Sequence, residues 1–154
     1  GPGVLGLQGR LLVPGLKTGL AWSLGFALLA GLLFLGCFMA GHNPLLWIRA
    51  PLPDAASQRV LYFFVGGVVA PIAEETFFRG VIFGYGRRWG LAAAVLISTT
   101  LFAAIHAGAA IPVTQIVGGV VFALAYHASN SLMAPIVIHM LGNLAIFSLS
   151  LPFF

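Results

Sequence analysis

Leu20 to Ala40 is a run of apolar and small residues without a single charge. A helix needs roughly 20 such residues to cross the hydrocarbon core of a bilayer, so this stretch can span on its own. The remaining composition agrees. The chain is 60% hydrophobic and 6% charged, where soluble domains carry about 25% charged residues. Seven Lys/Arg and three Asp/Glu cannot cover a water-soluble globule of 154 residues. So few cations make no nucleic-acid-binding face, and this apolar content excludes disorder. The lone Cys37 allows no internal disulfide. An all-α, polytopic membrane helix bundle is the expected fold.

Four further runs follow the first. After a Pro-rich loop from Gly41 to Arg59, a second span is expected from Val60 to about Tyr85, with Pro71 as a candidate kink and Arg87-Arg88 as its end. The third runs from Leu91 to about His106, the fourth from Ile111 to about Tyr126 with Pro112 in its first turn, and the last from Leu132 to about Leu151. That makes about five transmembrane helices, joined by connections short enough to hold neighbours antiparallel. Residues 1–19 are expected to form an N-terminal segment at the membrane interface, and residues 20–154 a single intramembrane core. With the N-terminus inside, four loop cations (Arg10, Lys17, Arg87, Arg88) face the cytoplasm and two (Arg49, Arg59) lie opposite, which favours that orientation. The pairs Gly66-Gly67 and Gly118-Gly119 read as close helix packing. Trp22, Trp47 and Trp89 read as interface anchors or packing.

Charged groups inside a span cost roughly 2.5–3.5 kcal/mol each on insertion scales. This chain nevertheless places Glu74, Glu75 and Arg79 in its second span, His106 in the third and His139 in the last, with the polar Asn143 beside it. Glu75 and Arg79 are four residues apart and can pair on one helix face. Glu74 points about 100° away and is left for another task. Phe102 with His106, and His139 with Asn143, share the same four-residue spacing. Three helices thus each carry an inward polar stripe.

This set of groups suits hydrolysis. A buried carboxylate beside an imidazole can deprotonate water for attack on a carbonyl, and a second imidazole with an amide can stabilise the resulting oxyanion. Arg79 would hold Glu75.

The residues Glu74-Glu75-Thr76-Phe77-Phe78-Arg79 fit an EExxxR motif, Phe102 to His106 fits FxxxH, and His139 to Asn143 fits HxxxN. In this order, on successive membrane helices, they resemble the CAAX-protease and bacteriocin-processing family (CPBP, or ABI) of glutamate-type intramembrane endopeptidases. The likeness runs from about Val60 to Phe147, including the stretch from Gly118-Gly119 to Asn130-Ser131-Leu132. It implies that Glu74 and His106 activate water, that His139 and Asn143 stabilise the oxyanion, and that Glu75 and Arg79 support the site without a metal cofactor. Family members are usually longer, so this chain resembles a minimal core plus one N-terminal span.

The expected partners are a peptide or protein substrate at the membrane and the lipid bilayer, with no nucleic acid. The expected location is a prokaryotic inner membrane. Phe78 and Phe102 are candidates for packing or for lining the substrate cleft; Phe77 reads the same way. Two alternatives stand beside this reading. One is a zinc-dependent protease with His106, His139 and a carboxylate as ligands, although no HExxH is present. The other is a non-enzymatic immunity or scaffold protein, or a proton relay, although no internal repeat of the transporter kind is visible.

Overall fold

The computed structural model of the chain describes residues 8–108 and 112–153, and among them all regular structure is helical. The helices are α1 (Gly9–Met39), the single turn α2 (Leu45–Ile48), α3 (Ala56–Trp89), α4 (Leu91–Ile105), α5 (Val113–Ser129) and α6 (Met133–Ser150). By length and composition α1, α3 and α6 can each cross a membrane, while the apolar α4 and α5 are shorter, at 15 and 17 residues. The five apolar segments read from the sequence are the five long helices of the bundle.

Their ends shift for local reasons. α3 runs past both expected limits and carries Pro71 inside it; Gly90, at φ 97°, then provides the turn. Pro112 precedes α5 as its cap rather than entering its first turn. Ile111 lies outside the described residues.

The largest shift is at the N-terminus. Residues 1–7 lie outside the described residues, but from Gly9 onward the expected interfacial segment is the first turns of α1 itself. Gly9, Gly15 and Pro14 are poor helix formers, and tertiary packing overrides that local preference. Gly15 and Gly19 are buried, and a Cβ at Gly19 would meet the Ala134 carbonyl oxygen at 2.9 Å. The Ser131 hydroxyl also donates to the Leu11 carbonyl at 3.0 Å. Side-chain-free positions let α1 lie directly against the start of α6.

At the other end, Ser150 Oγ accepts from the Ala50 amide at 2.9 Å, and Phe147 packs with Ala50, Leu52, Tyr62 and Phe63. α1 and α6 therefore run parallel. α3 runs antiparallel to α6: its early Gly67 approaches Leu144, and its late Phe83 packs with Leu132 and Ile136. α4 returns along α3, Ala94 touching Gly86 and Phe102 meeting Phe78. Arg10, Arg87 and Arg88 consequently share one end of the bundle, and Arg49 and Arg59 the other. Beyond Ser23, α1 has no buried residue, and Leu24, Leu28, Leu32 and Met39 are exposed. In a membrane chain such a surface faces lipid.

Candidate active site

α3 is not a uniform helix. Val65–Val69 and Thr76–Phe83 are widened to i→i−5 hydrogen bonding, and the ordinary turns of Ala70–Glu75 lie between them. Widened turns of this kind recur at functional sites. One of them leaves a carbonyl without its usual donor. The Ala70 amide bonds the Val65 carbonyl, so in the same register the Gly66 carbonyl would take its proton from residue 71. That residue is Pro71, which has no N–H. The Asn143 side chain fills the role, its Nδ2 donating to the Gly66 oxygen at 2.8 Å.

Glu75 and Arg79 have no solvent exposure, and they pair Oε1 to Nη1 at 3.1 Å. Arg79 Nη2 donates across the bundle to the Gly119 carbonyl of α5 at 3.1 Å. Its guanidinium carbon lies 4.8 Å from the Phe102 ring centroid and 5.2 Å from that of Phe122. Aromatic faces attract a desolvated cation, so rings and carboxylate together offset part of the hydration this arginine lost, while its Nε has no hydrogen-bond partner among the described residues. Gly119 is where α5 meets α4: a Cβ there would lie 2.8 Å from Thr99 Cγ2.

Glu75 Oε1 also receives a bond from His139 Nδ1, at 2.8 Å. A carboxylate only accepts, so Nδ1 carries the proton and Nε2 is the nitrogen turned toward Glu74, 3.8 Å from its Oε2. Phe122 stacks on this imidazole with centroids 4.7 Å apart and 19° between planes, and Phe102 meets it edge-on at 5.7 Å. His106, just past the end of α4, is fixed in the same manner. Its Nδ1 lies 2.8 Å from the Phe102 carbonyl, which can only accept. Its Nε2 is then a lone pair whenever the ring is neutral, and it faces Glu74 Oε1 at 4.0 Å. That is too long for a direct hydrogen bond and suited to one bridging water. Glu74 and His106 keep side-chain exposures of 25% and 30%, so neither is sealed inside the bundle.

The structure thus brings Glu74, His106 and His139 together, with Glu75 and Arg79 behind His139. Asn143 lies one turn along α6 from His139, with one of its two amide protons committed to Gly66. Phe78 and Phe102 are only 3% and 2% exposed; they form the floor under the histidines and the arginine, while Phe77 is exposed. Trp22 of α1 packs against the same aromatic cluster. Among the described residues, no three His, Cys, Asp or Glu side chains are grouped to hold a metal ion. Sequence reasoning missed Phe122, Gly66 and the role of the Gly119 carbonyl. Phe122 sits three residues after Gly119 and so shares its helix face, a usable signal once Gly119 is known to face the site.

A family model described as Type II CAAX prenyl endopeptidase Rce1-like matches residues 56–145, more than half of the chain. The chain belongs to the Rce1-like family. The matched residues contain all three motifs and every group of the site. This Rce1-like chain is also similar to the membrane-embedded CAAX protease MroQ of Staphylococcus aureus (strain USA300), 34% identical over 90 residues, covering 54% of this chain and 36% of the relative. The chain therefore spans about a third of the length of that curated relative (36%). No solved structure matches the chain.

Proposed function

We propose that this chain is a glutamate-type intramembrane endopeptidase that cleaves a peptide or protein substrate at the membrane without a metal. The observation that carries the reading is the face-to-face placement of Glu74 Oε1 and His106 Nε2 at 4.0 Å, both acceptors and neither sealed inside the bundle. A water between them donates one proton to each. As substrate binds, Glu74 takes a proton from that water while His106 holds its other hydrogen, and the oxygen attacks the scissile carbonyl carbon.

The electron pair displaced from the C=O bond becomes an oxyanion. The His139 ring, held by Nδ1–H on Glu75, turns its Nε2 side to this oxyanion and stabilises it by donation from that edge when Nε2 carries a proton. Asn143 has one amide proton left over from Gly66 for the same oxyanion. Glu74 then returns its proton to the leaving nitrogen as the C–N bond breaks, which restores the carboxylate. Arg79 touches no substrate; it neutralises Glu75 so that Glu75 can hold the imidazole. A prenylated CAAX peptide, named in the description of the family, and an unmodified peptide are both substrates this chemistry can cut.

The test incubates purified protein in detergent with a proteome-derived peptide library and reads new termini by mass spectrometry. Wild type is expected to generate termini that Glu74→Gln does not. Identical products from both proteins would leave the non-enzymatic scaffold reading in its place.

A further inference from the structure

α5 contains none of the three motifs, yet two of its groups reach the site. The Gly119 carbonyl accepts from Arg79 Nη2 at 3.1 Å. One turn later Phe122 stacks on His139 at 4.7 Å. Both groups act on the same target, since Arg79 holds Glu75 and Glu75 holds His139 Nδ1. The position of α5 along and against α4 is fixed at the same residue: Gly119 is buried, and a Cβ there would lie 2.8 Å from Thr99 Cγ2, 3.2 Å from its Oγ1 and 3.3 Å from its Cβ. A methyl group there requires the Thr99 side chain to turn or α5 to move away from α4.

Resting on the protease reading above, we propose that Gly119 is a positioning residue for the reaction: the Thr99–Gly119 contact sets how far α5 reaches, and the Gly119 carbonyl aims Arg79, Glu75 and thus the His139 ring. Glycine at 119 serves approach here rather than backbone freedom, because the residue lies inside a regular helix. Pushing α5 away withdraws the carbonyl from Arg79 and the Phe122 ring from His139 together. Glu74 and His106, held by α3 and α4, stay where they are.

The experiment compares Gly119→Ala with the double variant Gly119→Ala/Thr99→Ala, in which the wall facing the new methyl is cut back. Two readouts are used. The first is kcat and KM on a peptide cut by wild type. The second is the His139 Nδ1–H proton resonance of 15N-histidine-labelled protein in micelles, which reports the bond to Glu75 without any turnover. Gly119→Ala is expected to lose about 10–100-fold in kcat with little change in KM and to shift the Nδ1–H resonance; the double variant recovers most of both.

A Gly119→Ala protein with wild-type kcat and resonance overturns the proposal, as does a folded double variant that recovers neither. Should Gly119→Ala fail to fold, Thr99→Leu enlarges the contact from the α4 side and must produce the same loss and shift; a Thr99→Leu protein with neither overturns the proposal. If wild type cuts no peptide at all, the protease reading fails on its own, while the resonance still decides whether Gly119 aims His139.

Discussion

His139 Nδ1 lies 2.8 Å from Glu75 Oε1, and the same ring presents Nε2 to Glu74 at 3.8 Å. The adjacent carboxylates of one helix thus serve opposite sides of one imidazole. Glu75 is fully buried and paired with Arg79, so it fixes which nitrogen of His139 carries the inner proton. Glu74 is part-exposed and tied to no backbone group, so it is free to serve as the proposed base. The division of labour between neighbouring, chemically identical side chains follows from their surroundings.

Glu74→Gln preserves size, exchanges one acceptor oxygen for an NH2 donor and removes the proposed base. It is expected to lower kcat by about 10²–10⁴-fold, the usual contribution of a positioned acid–base group, with a thermal midpoint close to wild type. His106→Ala should give a loss of similar order. Peptide cleavage followed by mass spectrometry, alongside thermal unfolding in detergent, checks both.

The Glu75–Arg79 pair makes a stability prediction. Arg79→Met strands a buried carboxylate and is expected to cost about 3–5 kcal/mol, whereas Glu75→Met/Arg79→Met should recover much of that because both charges leave together. Neither protein should cleave: the double variant removes the carboxylate that holds His139, and the single variant removes the arginine that neutralises and aims that carboxylate. Denaturant unfolding of the two variants separates these effects; equal destabilisation of single and double would refute the prediction.

Asn143 and Pro71 are coupled through one carbonyl. Asn143→Ala leaves the Gly66 oxygen without its donor, and hydrogen bonds between membrane helices are worth about 0.6 kcal/mol on average and up to about 1.7. In a Pro71→Ala background, residue 71 regains an N–H for that carbonyl, and Asn143→Ala should then cost less. A double-mutant cycle on thermal stability measures the coupling; strict additivity would contradict the assignment.

Cleavage is expected to continue at the full rate after dialysis against a strong chelator. Loss of activity that added zinc restores would instead favour the alternative in which His106, His139 and a carboxylate bind the metal.

Much of this site was legible in the sequence because it follows from spacing within single helices. The pairing of Glu75 with Arg79 needs only the four-residue repeat of a helix, and the separation of Glu74 from Glu75 needs only its angular step. The floor formed by Phe102 is partly of this kind, since the ring lies one turn from His106. The roles of Gly66, Gly119 and Phe122 were not legible. Each depends on which residue of another helix arrives opposite, and apolar runs with frequent glycines admit many registers.

The start of the first helix at Gly9 rather than Leu20 was not legible for a related reason. Gly9, Pro14 and Gly15 argue locally against a helix, and only the contact of Gly15 and Gly19 with the start of α6 outweighs that. By itself the sequence determined that the chain belongs in a membrane, the five long helices among the described residues and which helices carry charge, because a bilayer penalises every unpaired polar group. Tertiary structure alone decided which backbone carbonyls receive Arg79 and Asn143 and which nitrogen of His139 faces Glu74. Those choices belong to atoms brought together from distant parts of the chain, at distances where a fraction of an ångström separates a bond from a gap.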